Sequence, residues 1–472
     1  MQLYNTLIRE KEDLQPIMKD LIRIYSCGPT VYAYSHIGNM RTYIFADILK
    51  KAFRYNQYQV KHVMNITDVG HLVSDADDGD DKMLATVKKE QKSPYEIAEY
   101  YTQVFLADMQ KLNIALPDVL TKATDNIAEM IQMVEGLHEK GYAYETSDGI
   151  YFDVMKFPNY GKLSRLDLEG QIAGARVEVN TEKRHPADFA LWKKAPKNHI
   201  MQWDSPWGKG FPGWHIECSA MALKFLGETF DIHTGAIDAI PIHHENEIAQ
   251  SDAYLRKQAV KTWMHGEFLL VENGKMSKSL GTMYTVSDLE EKGYLPLEYR
   301  YFCLNGHYRS KLNFTWKGMK AAKISYKRLL EGVAKHKYAD NADDALLRDA
   351  VLEFKAQFDA AINDDLNIPK ALGIVWTAVK YETKSKSIYQ FLLKADEILS
   401  LDLQKAELKQ TDEGSENVQS EDIPDEIRIL AEQRQKARKE KDFQLADTLR
   451  EKLDAMGYLL EDTKEGMRIK RK

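Results

Sequence analysis

The run "LIRIYS", Leu21 to Ser26, gathers apolar and β-prone residues in the manner of a short buried strand, and Gly28-Pro29 breaks it. From His36 onward the period changes, with Met40, Ile44 and Ile48 recurring every four residues, which predicts a helix. "QVKHVMNI", ending at Ile66, reads as a second strand. Strand, loop, helix and strand in that order open a parallel α/β domain, in which ligands gather at the loop and helix start after the first strand.

Helical and loop material continues to about Pro117. From about Thr121 to Trp207, a helical stretch ("NIAEMIQMVEGLHEKG") is mixed with short strands and aromatic turns ("GIYFDVMKFPNYGKLSR"), which reads as an inserted subdomain. "GWHIECSAMALKFLG" is helical by the spacing of Trp214, Cys218, Met221 and Phe225, and "FDIHTG" is a strand ending in a glycine turn. The α/β pattern has resumed, so the insertion splits one domain. From about Lys317 to Ser400 long amphipathic runs such as "AAKISYKRLLEGVAK" predict a helix bundle. Residues 401–424 are acidic and poor in large apolar side chains, as a solvated linker is. A small module then reads as two helices, with the basic run "RQKARKEK" from Arg434 to Lys441.

Composition narrows the classes. At 472 residues the chain is long enough for several domains. Its net charge of −7 argues against a surface that binds nucleic acid everywhere, so a nucleic-acid partner must be met locally. No apolar run approaches the ~20 residues of a membrane span. "MQLYNTLIREKEDLQPI" lacks the apolar core of an export signal, and Cys27, Cys218 and Cys303 are the only cysteines, so a cytoplasmic protein without a disulfide framework is expected.

Three groups of residues carry chemistry. In His36-Ile37-Gly38-Asn39, a glycine at a helix start permits close backbone approach, and the free N–H groups with the helix dipole favour a phosphate; a plain helix start explains the same letters. Lys275-Met276-Ser277-Lys278-Ser279 lies on a glycine-flanked loop between the strand "FLLV" and a helix expected near Ser287, placed to donate charge to an anion as that charge develops. In "IHHENEIAQS", His243 and Glu247 are four apart and share a helical face, whereas His244 pairs at that spacing only with Ile248. Together with Cys27 and Cys218 they form a candidate tetrahedral zinc set drawn from both sides of the insertion, although either cysteine alone reads better as a small buried residue.

The pairing of the first two motifs resembles the class I aminoacyl-tRNA synthetases, whose signatures are HIGH and KMSKS and which make an aminoacyl-adenylate on a Rossmann-type sheet; Asn39 stands where the first signature has its second histidine. "CGPTVY", "GWHIECSAM", "HHENEIAQS" and "KMSKSLG", with "GARVEV", "DFALWK" and "LNGHYRSKLNF", extend the resemblance to the cysteinyl-tRNA synthetase family over nearly the whole chain.

The resemblance implies an α/β fold: a Rossmann-type parallel-sheet catalytic domain (residues 1–120 and 208–260) split by an inserted connective subdomain (121–207). A signature-loop and stem-contact region (261–316), an α-helical bundle (317–400), the acidic linker (401–424) and a small C-terminal anticodon-binding module (425–472) are expected to follow. It implies ATP, L-cysteine and tRNA(Cys) as partners, one Zn2+ per chain, Mg2+ with ATP, no membrane and a monomer. Cys27, Cys218, His243 and Glu247 are the implied metal ligands, and His36 and Lys278 the implied catalytic pair. Gly38, Asn39, Gly235, Asp238 and Lys275 through Ser279 are the implied ATP contacts, the ribose segment reading "TGAID" here. Thr67, Trp214 and His215 are implied to face the amino acid, and Arg438, Phe443 and Asp447 to read the anticodon.

Zinc has a physical reason to be there. An apolar pocket separates small side chains by only ~1–3 kcal/mol. A zinc ion binds a thiolate far better than a hydroxyl. The rival expectations are a cysteine ligase that acts on an amino sugar, which lacks an anticodon module, and a silent zinc- and RNA-binding relative.

Overall fold

A computed structural model of the chain describes residues 1–69, 86–87, 90–165, 181–196, 199–277, 281–339, 345–408, 424–440, 442–463 and 466–471. They form two compact units, Met1–Glu407 and Leu408–Lys472.

The first unit opens with an antiparallel pair, β1 (Gln2–Asn5) and β2 (Glu10–Asp13). β3 (Leu21–Ser26), α1 (Ile37–Tyr55) and β4 (Gln59–Ile66) follow, as the hydrophobic pattern predicts. Ile22, Ile24 and Tyr25 have no exposure, because β3 is central in its sheet and covered on both faces. α2 (Pro94–Lys111) then leads to β5 (Val119–Lys122), α3 (Ile127–Glu139), β6 (Ala143–Glu145), β7 (Gly149–Phe152), β8 (Phe189–Lys194) and β9 (Gly210–Pro212). Of these, β6 to β9 form an antiparallel sheet in chain order, while β5 joins the parallel sheet beside β4.

α4 (Trp214–Leu226), β10 (Phe230–Ala236), a π-helical turn (Ile240–His244), α5 (Glu245–Leu255) and β11 (Val260–Gly266) return the chain to that sheet. Its strand order is β11-β10-β3-β4-β5, all parallel. From β3 the chain runs to β4 on one side and later to β10 on the other. The carboxyl ends of β3 and β10 therefore flank a crevice, the usual position for a ligand in such sheets.

β12 (Leu269–Val271) and β13 (Leu312–Phe314) form a parallel ribbon around α6 (Val286–Glu291) and α7 (Pro296–Leu304). Four helices complete the unit: α8 (Trp316–Lys337), α9 (Ala345–Asn363), α10 (Ile368–Val379) and α11 (Lys386–Leu399). One continuous core runs from Ile24 and Ile44 through Phe302 and Leu329 to Val375 and Leu392. A second core lies under the insertion, around Met130, Phe152, Trp192 and Met221.

The second unit contains more than the two helices read from sequence. After α12 (Asp425–Lys439) and α13 (Phe443–Ala455), an antiparallel hairpin follows, β14 (Tyr458–Thr463) and β15 (Gly466–Arg471). Gly457 at φ 85° makes the sharp exit from helix to strand. Ile427, Leu430, Leu453 and Leu460 form its small core. No described helix is long and apolar enough to cross a membrane.

Candidate active site

The crevice is a cavity of ≈ 410 Å³ lined by Cys27, His36, Thr67, Trp214, His243 and Asp238, among others. Its wall is tight at Gly28, where a Cβ would fall 1.6 Å from the Asn65 carbonyl oxygen. The Gly28 N–H donates to Asn65 Oδ1 at 2.8 Å, locking the turn after β3 onto the end of β4.

Three of the four sequence-predicted ligands, Cys27, Cys218 and His243, line the cavity, and Glu247 converges on them. Cys27 Sγ lies 4.0 Å from Cys218 Sγ and 3.7 Å from Glu247 Oε1. His243 Nε2 lies 3.6 Å from Cys218 Sγ and 3.1 Å from Glu247 Oε1. With sulfur at about 2.3 Å and nitrogen or oxygen at about 2.0–2.1 Å, tetrahedral zinc has ligand-to-ligand edges of about 3.3–3.8 Å, so this donor set fits the ion. Two thiols and a carboxylate packed together, mostly buried, call for a cation. The contact with Cys218 and burial push the Cys27 thiol up, and the same contact brings the Cys218 thiol down.

Supporting groups hold these ligands. His233 Nε2 sits 2.8 Å from Glu247 Oε2, leaving Oε1 for the cluster, and the His233 ring stacks on Trp263 at 4.4 Å. His215 Nδ1 is 2.9 Å from His243 Nδ1, and the Trp214 ring lies 4.9 Å from that of His243. Such outer contacts fix the orientation of metal ligands. Sequence reasoning set His244 aside, yet its Nε2 is 3.2 Å from Cys27 Sγ, and Cys27, His233, His244 and Glu247 form a second, overlapping donor group. His244 is also held by His265 at 2.7 Å, and burial keeps its imidazole well below the ordinary pKa. Gly235 makes room for it, since a Cβ there would meet His244 Cε1 at 2.4 Å.

Thr67 faces the cavity and donates to Glu217 Oε2 at 3.1 Å while accepting from Asn65 Nδ2 at 2.9 Å. Glu217 is fully buried, and burial raises its carboxyl pKa well above normal. Neither Glu217 nor Asn65 was singled out in the sequence, where each reads as an ordinary polar residue.

The start of α1 lines the same cavity. His36 is its N-cap: its Nδ1 accepts the Asn39 N–H at 3.1 Å, and Asn39 Oδ1 accepts the His36 N–H at 3.1 Å. Asn39 thus closes a capping box, a structural role for the departure from the signature histidine. Burial lowers the His36 pKa, with Asp238 opposing. Asp238 lines the same cavity from the turn after β10.

The two motifs touch at Gly38, where a Cβ would fall 2.1 Å from Met276 Cε. The Ile37 N–H donates to the Tyr284 carbonyl at 2.8 Å, and Lys275 Nζ lies 5.4 Å over the Phe268 ring. The Ser277 N–H donates to Thr282 Oγ1 at 3.0 Å. Lys278 and Ser279 lie outside the described residues. In the second unit Arg438 and Asp447 are exposed on α12 and α13, and the backbone of Phe443 begins α13. Cys303 is buried in the first core, where burial raises its thiol to about 11.

The family model for the tRNA synthetases class I (C) catalytic domain matches residues 13–324. The Cysteine–tRNA ligase of Treponema denticola is 44% identical over 484 aligned residues, covering 98% of this chain and 98% of that protein. The Cysteine–tRNA ligase 1 of Burkholderia lata is 44% identical, covering 99% and 96%, and the Thermus thermophilus enzyme 42%, covering 99% and 98%. Among solved structures, Mycobacterium tuberculosis methionyl-tRNA synthetase in complex with methionyl-adenylate shares the fold, with a TM-score of 0.56 at 13% identity, covering 81% of this chain and 90% of that one. The chain belongs to the class I tRNA synthetases and, within them, to the cysteine–tRNA ligase family.

Proposed function

We propose that the chain activates L-cysteine with ATP and transfers it to the 3′ end of tRNA(Cys). The observation that carries this reading is one cavity lined both by members of the thiol–imidazole–carboxylate cluster and by the capped start of α1. A small substrate with a thiol and a carboxylate spans such a space, its thiol at the cluster and its carboxylate toward a nucleotide.

In this reading Cys27, Cys218, His243 and Glu247 hold one zinc ion, which when bound supplies a soft Lewis acid that favours a thiolate over a hydroxyl. Trp214, His215 and Thr67 wall the amino acid. Gly38 and Asn39 bring the backbone of the helix start to the phosphates, and Asp238 beside Gly235 holds the ribose. The cysteine carboxylate attacks the α-phosphorus in line; the bond to pyrophosphate breaks, and His36 and Lys278 stabilise the charge that moves onto it, with Mg2+ accompanying ATP. Lys275, Met276, Ser277 and Ser279 complete that corner. A carboxylate nucleophile needs no general base.

For tRNA, Arg438 and Phe443 stack on unpaired anticodon bases and Asp447 accepts from one. The catalytic halves, insertion, bundle and terminal module take the roles expected for 1–120 with 208–260, 121–207, 317–400 and 425–472, in a cytoplasmic monomer. ATP–pyrophosphate exchange with cysteine, with serine and with no amino acid, followed by charging of tRNA, tests the reading. Cysteine-dependent exchange and charging are expected. Exchange without charging identifies an amino-sugar ligase instead, and no exchange in a folded, zinc-replete sample removes the enzymatic reading.

A further inference from the structure

Arg41 lies one helical turn after Gly38, on the same face of α1, and is only 6% exposed. Its guanidinium donates four hydrogen bonds, every one to a main-chain carbonyl. Nη1 reaches Glu267 and Phe268, both at 2.7 Å, and Nη2 reaches His307 at 3.1 Å and Ser310 at 2.6 Å. These acceptors belong to two chain segments that enter the β12–β13 ribbon side by side. The segments also bind each other, Glu267 N–H to the Tyr308 carbonyl at 2.7 Å and Leu312 N–H to the Phe268 carbonyl at 3.2 Å.

The ribbon leads back to the same helix. Past β12 the chain reverses at Val271 and Gly274, which exchange N–H to carbonyl bonds at 2.9 Å. That turn is fastened to the second ply by the Glu272 N–H on the Phe314 carbonyl at 3.0 Å and the Asn273 N–H on Asn313 Oδ1 at 2.8 Å. Two residues later Met276 comes down on Gly38. One face of α1 therefore grips the root of the ribbon and receives its tip, in a closed circuit from Arg41 through the ribbon and Met276 to Gly38.

An ionised side chain surrounded by neutral carbonyls is an expensive way to fill space, and a hydrocarbon of similar volume packs at lower cost. What the guanidinium adds is a rigid planar fork that satisfies several acceptors in one geometry, which an ammonium does not match. We propose that Arg41 is a positioning residue for nucleotide binding, setting the height of the Lys275–Met276–Ser277 segment over the start of α1 by clamping both plies of the ribbon that carries it. The inference rests on the reading of that corner as the ATP site, and Arg41 touches neither substrate.

The test is calorimetric titration of MgATP into the zinc-replete full chain, for the unaltered protein and for Arg41→Ala, Arg41→Lys, Met276→Ala and Arg41→Ala/Met276→Ala. Arg41→Ala is expected to weaken ATP about tenfold and Arg41→Lys about threefold, since one ammonium cannot span both plies. Zinc content stays at the unaltered level in all variants. The loss from Arg41→Ala shrinks when Met276 is already absent, because the two act through one contact; a general packing defect gives additive losses. Unchanged ATP affinity in a folded Arg41→Ala protein, or additivity with Met276→Ala, overturns the proposal. Should Arg41→Ala not fold, Arg41→Lys decides alone, and unchanged affinity there overturns it as well. Cysteine-dependent pyrophosphate exchange on the unaltered protein tests the earlier functional reading by itself, so a protein that binds ATP without exchanging defeats that reading and leaves the Arg41 result legible.

Discussion

Arg300 Nη2 stands 2.6 Å from Asp47 Oδ2, and neither side chain has any exposure. The pair links the middle of α1 to α7, and Arg300 also donates to the Leu399 carbonyl at 2.7 Å, where the helical bundle ends. Lys51 and the Ala115 N–H complete the carboxylate's partners at 2.7 and 2.9 Å. Removing one member leaves the other charge buried, so Asp47→Ala is expected to destabilise the first unit by about 3–5 kcal/mol in urea denaturation. Asp47→Leu with Arg300→Met should recover most of that loss; a double variant as weak as the single would refute the assignment.

Gly38 has no room for a side chain under Met276. Gly38→Ala forces the loop upward or the helix start aside, at a cost of about 1–3 kcal/mol if borne by ATP binding. The expected result is a rise in the KM for ATP of about five- to about 150-fold, with a melting temperature near normal. Gly38→Ala/Met276→Ala should restore much of the affinity.

The overlapping donor groups around Cys27 and Glu247 are separable by measurement. His243→Ala and Cys218→Ala should each lose most bound zinc by elemental analysis and lower the preference for cysteine over serine in the exchange assay. His244→Ala should keep zinc near one per chain. Retention of full zinc and full preference in Cys218→Ala removes the two-thiol set.

His62 sits between strands with Nε2 at 2.9 Å from Ser26 Oγ, and its pKa is brought down to about 3, chiefly by burial and then by Lys50. An unfolded imidazole titrates near 6.5, so on acidification the unfolded chain takes up a proton that the folded one refuses. This contribution leaves stability whole above about pH 6.5 and erodes it by about 1.4 kcal/mol per pH unit below that, down to the folded value. His62→Gln should flatten the loss measured between pH 7 and pH 5. An unchanged slope would show that His62 is protonated in the fold.

The central strands and α1 were legible because their apolar periods are unambiguous. The grouping of Cys27, Cys218, His243 and Glu247 came from the family resemblance more than from spacing, since Cys27 follows β3, Cys218 lies within α4 and the His-His-Glu-Asn-Glu run lies beyond β10. His244 was not legible for a definite reason. Counting by four assumes an α-helix, whereas Ile240–His244 is a π-helical turn that turns two consecutive histidines inward. The hairpin β14–β15 was hidden by short strands rich in charge, which carry little hydrophobic signal. Arg41 and Arg300 were invisible because pattern reading assigns an arginine to the surface, and only the assembled fold supplies their ring of carbonyl acceptors.

The capping box at the head of α1 decides where one hydrogen atom resides. Because the Asn39 N–H points at His36 Nδ1, that nitrogen must offer a lone pair, and the neutral ring is held as the Nε2–H tautomer. The reciprocal bond from the His36 N–H to Asn39 Oδ1 fixes the asparagine amide the right way round to keep it so. The helix terminus thus acts as a tautomer selector through the main-chain N–H of position 39, while the Asn39 side chain closes the box from the other side, and the ring presents a donor at Nε2 without any proton having to be taken up from solvent.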